Sequence, residues 1–247
     1  MALLRTSNPA LNERAFQLDH AELGESITVP GPLNKTGILL VCVVATAIWS
    51  WRQLDVAPER LPLLVFGGAI GGLIFAMVTI FKKEWAPLTA PIYALLEGLV
   101  LGGISALYER QSQGIAMQAV ALTFGVLFVM LLAYRSGLIR VTDKLRMGIV
   151  AATGGIALFY IIEIVLGFFG IHFVSINTGT PLGIGFSLLV VGIAALNLVL
   201  DFDLIEHGVA AGAPKYMEWY AAFGLMVTLI WLYLEILRLL SKIRSRR

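Results

Sequence analysis

The sequence is poor in charge, in cysteine and in histidine, and each shortage closes off a class of function. Charged residues make up 14% of the 247, where a soluble domain usually carries about 25%. The net charge of +2 leaves no electrostatic footprint for nucleic acid. The single cysteine, Cys42, lies in an apolar run and has no internal partner for a disulfide. The three histidines, His20, His172 and His207, fall in tails or loops, where a solvated ring is the default. There is no His-x-x-x-His pair, no CxxC and no EF-hand loop, so the spacings of soluble metal sites are missing. No nucleophile–base pair stands out, and neither enzymatic activity nor a cofactor is expected.

What the chain has instead is apolar sequence. Hydrophobic residues reach 58% and the mean hydropathy is +0.86, the composition of a polytopic membrane protein. A helix needs about 20 apolar residues to cross a hydrocarbon core of about 30 Å. Seven segments meet that need, near 36–52, 61–81, 88–108, 115–134, 147–169, 182–205 and 217–240. The reading is an all-α membrane bundle over residues 36–241. A solvated N-terminal tail precedes it over 1–35, without the apolar core of a secretory signal, and a basic tail follows over 242–247.

Lys and Arg in the short connections set orientation. Those on the N-terminal side carry Lys82, Lys83, Arg135, Arg140, Lys144, Arg146 and Lys215, against Arg52, Arg60 and Arg110 on the other. This bias predicts a cytoplasmic N-terminus. Gly67-Gly68-Ala69-Ile70-Gly71-Gly72 holds two overlapping GxxxG spacings, and Gly98 with Gly102 gives a third. Small residues four apart let two helix backbones approach closely, which predicts tight helix packing inside the monomer.

The residues that demand a function are acids at membrane depth. Glu97, Glu163, Asp201, Asp203 and Glu235 sit in or at the ends of apolar runs, and an ionised carboxylate there costs a few kcal/mol or more. Such groups face a bundle interior or a water-filled cavity and commonly mark ion or proton pathways. The runs show acid without matching base. Asn197 and Asp201 are four apart and share a helix face. Asp203 falls on another face, nearer a helix end. Glu235 stands three residues before Arg238, a spacing that allows a local pair. Two carboxyls sharing a site cannot both ionise cheaply, so one holds a proton or the pair takes up a cation.

Three stretches together resemble the Bax inhibitor-1 family, in its bacterial branch. They are Asp201-Phe202-Asp203-Leu204-Ile205, Leu232-Tyr233-Leu234-Glu235-Ile236-Leu237-Arg238-Leu239-Leu240 and Tyr93-Ala94-Leu95-Leu96-Glu97-Gly98, within a resemblance that covers about 35–245. The resemblance implies six helices wrapped around a central seventh, and a pH-sensitive Ca²⁺ leak channel in the bacterial inner membrane. It implies that Asp201 and the position of Glu235 act as a proton-sensing latch. Some bacterial relatives modulate a membrane protease, which makes such a protease an alternative partner. Glu235 stands where the family carries aspartate.

Helix arithmetic complicates the latch. With a turn centred near Ala211, Asp201 and Glu235 differ in depth by 14 residues, about 21 Å. Glu218 matches the depth of Asp201 better, and Glu163 that of Glu235. The pH-sensing or ion-pathway candidates are therefore Asp201, Glu235, Asp203, Glu97, Glu163, Glu218 and Asn197.

Overall fold

The structure is a computed structural model that describes residues 26–170, 176 and 178–246. Seven long helices follow in chain order, α1 (Pro30–Val56), α2 (Leu61–Phe81), α3 (Ala86–Gln111), α4 (Ile115–Arg135), α5 (Asp143–Phe168), α6 (Pro181–Ala210) and α7 (Met217–Ser245). Each is long and apolar enough to cross a membrane. They coincide with the seven apolar segments to within a few residues at most ends.

Local chemistry sets the boundaries. Proline opens α1, α2, α3 and α6, where its fixed φ suits the helix and its missing N–H costs nothing. Thr142 and Thr180 cap α5 and α6, accepting from the amides of Leu145 and Gly183. Gly212, at φ +66°, supplies the left-handed residue that reverses the chain between α6 and α7.

Glycine faces then fix how the first three helices meet. Gly98 and Gly102 of α3 lie so close to α1 that an added Cβ would fall 2.4 Å from the Val43 carbonyl oxygen and 2.2 Å from that of Ala47. Gly68 of α2 lies equally hard against α3, 2.8 Å by the same measure from the carbonyl oxygen of Leu96. The GxxxG runs thus serve contacts within the monomer, as expected. α7 packs directly on α1, α3, α4 and α6, whereas α2 packs mainly on α3, and α5 mainly on α6. Met217, Tyr220, Phe223, Met226, Leu232 and Leu237 of α7 are all buried in the core. Residues such as Phe66, Phe128 and Leu188 point outward, the lipid-facing surface of an integral membrane protein.

Two expected tails are part of the fold. Residues 26–35 are ordered against the bundle although most of their side chains are exposed: Ile27 is buried, its amide donates to the Ala213 carbonyl at 2.8 Å, and α1 starts at Pro30. Residues 242–245 continue α7, and Lys242 is buried rather than free in solvent. The remainder of the expected N-terminal tail, residues 1–25, and His20 and His172 lie outside the described residues.

Candidate functional site

α7 carries three buried polar residues seven apart, Thr228, Glu235 and Lys242. Seven residues make almost two turns, so the three share one face at steps of about 10.5 Å along the axis. Each meets a different neighbour. Polar side chains in apolar surroundings must find partners, and these three find them in the second half of α6, on α5, and at the start of α6 with the residue Ile176 before it.

At the first level, the Thr228 hydroxyl donates to Oδ2 of Asp201 at 2.6 Å. Both residues are almost fully buried. One turn earlier on α6, Asn197 sends its amide to the Thr153 hydroxyl at 2.8 Å and to the Ile193 carbonyl at 2.9 Å. α5, α6 and α7 are therefore joined by polar groups near the middle of the bundle.

The second level belongs to Glu235. Tyr160 of α5 donates its hydroxyl to Glu235 Oε1 at 2.8 Å, and Arg238 donates to the same oxygen at 3.1 Å and to the Tyr160 oxygen at 2.7 Å. The guanidinium also lies over the Tyr160 ring, 5.0 Å from its centroid. Glu163, one turn beyond Tyr160, is within electrostatic reach of Arg238 and Lys242.

Lys242 forms the third level. Its Nζ donates to the Ile176 carbonyl at 2.7 Å, to the Ser187 hydroxyl at 2.8 Å and to the Gly183 carbonyl at 3.4 Å. Serine beside lysine has the composition of a nucleophile–base pair, and sequence reading missed it. All three contacts of Nζ are to oxygen acceptors, two of them backbone carbonyls. The contacts tie Ile176 and the first turns of α6 to α7.

Two further acids lie toward the N-terminal side of the bundle. Asp203 is not a solvated helix end: α6 runs on to Ala210, and Asp203 Oδ2 accepts from Arg146 Nη2 at 2.6 Å with both side chains buried. His207 adds a contact to the Asp203 carbonyl at 2.7 Å. Arg146 Nη1 has no hydrogen-bond partner among the described residues. Glu218 accepts from the amide and hydroxyl of Thr28 at 3.1 and 2.9 Å and pairs with Lys215 at 3.2 Å. It closes the N-terminal segment onto the α6–α7 turn, and does not stand beside Asp201.

Glu97 faces the α2–α3 contact, where its Oε1 would lie 2.9 Å from a Cβ added to Gly72. Among the described residues no hydrogen bond or ion pair reaches its carboxyl.

The geometry revises the acid constellation in two ways. Basic residues do enter the bundle, because Arg146, Arg238 and Lys242 each meet a buried partner. Asp201 and Glu235 belong to separate levels, about 10.5 Å apart along α7 by the step from Thr228 to Glu235. Among the described residues, no three of His, Cys, Asp and Glu gather as a metal site.

No curated protein matches the sequence. The family described as Bax inhibitor 1 like matches residues 8–245, nearly the whole chain. Seven apolar helices around buried acids, and a family match of that length, place this chain in the Bax inhibitor 1 like family of membrane proteins.

Proposed function

We propose that the chain is a pH-sensitive cation leak pathway of the bacterial inner membrane, with Ca²⁺ as the conducted ion and the N-terminus in the cytoplasm. The observation that carries this reading is the buried contact of Asp201 with Thr228 at the α6–α7 seam. A carboxyl group buried in a membrane bundle marks a candidate ion or proton pathway, and the Thr228 hydroxyl fixes this one at the contact of two helices. Hard oxygen ligands suit Ca²⁺. Protonating Asp201 removes the charge and weakens the hydrogen bond that ties the two helices.

The other polar levels frame that seam. Asp203–Arg146 ties α6 to α5, and Glu235–Tyr160 ties α7 to α5. In this reading Asp201 senses the proton, while Glu235 holds the last helix in place through Tyr160 and Arg238 and does not act as a direct latch partner. Glu97, at the α2–α3 contact, stands apart from the seam.

The test is Ca²⁺ flux into liposomes containing the purified protein, measured from pH 6 to 8. The expected result is a flux that changes with pH in the native protein and loses that dependence in Asp201→Asn. Glu235→Gln is expected to alter the size of the flux while leaving its pH dependence. Native flux that is absent, or unchanged in Asp201→Asn across the range, overturns the proposal.

A further inference from the structure

A groove of about 660 Å³ opens on the flank of the bundle between α1 and α4, floored by α3 and α7. Its walls are almost wholly apolar, with Val44 and Ile48 on one side, Val120 and Phe124 on the other and Leu229 at the base. Val44, Ile48, Val120 and Phe124 are all exposed, so the groove faces outward into the hydrocarbon of the membrane. Water, at about 30 Å³ per molecule, has the room but lacks the polar partners it requires. A gap of this size left empty would forfeit the dispersion contacts of its whole lining.

Length and charge specify the occupant. Along α1 the groove runs from Leu40 to Arg52, about 18 Å at 1.5 Å per residue. One leaflet of a core of about 30 Å is about 15 Å deep, so the groove fits a single acyl chain entering from one side. At the mouth stand Trp51 and Arg52, an aromatic and a cation at the depth where headgroups lie. Among the described residues no acceptor engages the exposed Arg52 guanidinium. Glu109, the acid at the same mouth, is engaged by α4 and not by Arg52, accepting from the N-terminal amides of Gly114 at 2.5 Å and Ala116 at 3.2 Å. Of the two charges at that end of the groove, the acid is engaged by backbone amides and the Arg52 guanidinium is open to an anion.

We infer that this groove is a binding site for an anionic glycerophospholipid, with one acyl chain between α1 and α4 and the phosphate on Arg52. The site is independent of the acids at the α6–α7 seam and would stand if no ion were conducted.

The test uses the full chain in phosphatidylcholine vesicles doped with phosphatidylglycerol that carries a photoreactive acyl chain, with adducts mapped by mass spectrometry. Adducts are expected to concentrate on Val44, Ile48 and Val120 and to fall at least five-fold in Val44→Trp/Val120→Trp, whose rings fill the groove. Arg52→Gln, at an exposed position that leaves the bundle intact, is expected to abolish the preference for phosphatidylglycerol over an equally labelled phosphatidylcholine. Adducts spread evenly over the outward faces of α2 and α5 as well overturn the site, as does an undiminished yield in the double variant. Equal labelling by the two lipids in the native protein overturns the headgroup assignment.

Discussion

The Thr228 hydroxyl lies 2.6 Å from Asp201 Oδ2, a buried polar contact that joins α6 to α7. Neither residue is more than 3% exposed, so bulk water does not substitute for either. Replacing Thr228 with valine removes the donor and leaves the carboxylate facing a methyl group. The expected loss is about 1–3 kcal/mol, read as a lower melting temperature in detergent. Thr228→Ser keeps the hydroxyl and should retain most of the stability.

The Arg146–Asp203 pair should behave as a unit. Each single change, Arg146→Met or Asp203→Leu, leaves a buried charge without its partner, at a cost of about 3–5 kcal/mol. The double variant removes both charges and is expected to recover much of that loss. A double-mutant cycle on thermal unfolding checks this, and additive losses would mean that the pair is not coupled.

Gly102 is a test of the helix contact that anchors α1. Its Cβ position lies 2.2 Å from a backbone oxygen of Ala47 and cannot be relieved by rotating a side chain. Gly102→Ala is therefore expected to destabilise by about 1–3 kcal/mol. Gly125, with nothing within 4 Å of the same position, is the control. Gly125→Ala should be neutral, or stabilising by about 0.5–1 kcal/mol.

Lys242 ties Ile176 and the start of α6 to the end of α7. Lys242→Met leaves the Ile176 carbonyl and the Ser187 hydroxyl without their donor, an expected cost of about 1–3 kcal/mol. The local sign is faster amide hydrogen exchange over residues 178–183, with the remaining helices little changed.

How much of this was legible in the sequence depends on range. The seven helices were, because membrane length and hydropathy act on each segment alone. The Glu235–Arg238 pair was as well, since three residues along a helix bring side chains together without help from the rest of the fold. Asp203–Arg146 was not. Arg146 reads as a loop charge, counts toward orientation and lies 57 residues away in sequence. Only packing α5 against α6 turns it inward.

The Asp201 contact shows where hairpin arithmetic succeeds and fails. It set Glu235 14 residues too far along the last helix, where the step from Thr228 to Glu235 is seven. It then favoured Glu218 because the turn was centred near Ala211, whereas α6 ends at Ala210 and α7 begins at Met217. The midpoint falls between Ala213 and Pro214, which brings Asp201 level with Met226, within a turn of Thr228. The spacing of Thr228, Glu235 and Lys242 was visible all along as a seven-residue polar period in an apolar helix. It was the signal that could have linked these residues before their partners were known.

That polar period also bears on the order in which the protein is made. α7 is the last of the seven helices to leave the ribosome, and its stripe of hydroxyl, carboxylate and ammonium is unsuited to bare lipid. Until it arrives, Asp201, Tyr160 and Ser187 lack the groups that satisfy them. The glycine contacts that join α1, α2 and α3 need no residue of α7, so that part of the bundle can pack before the last helix arrives. Insertion of the seventh is then the step that completes the protein. A chain stalled before Met217 would present unmet polar groups to the bilayer, a feature by which membrane quality control could distinguish it from the finished fold.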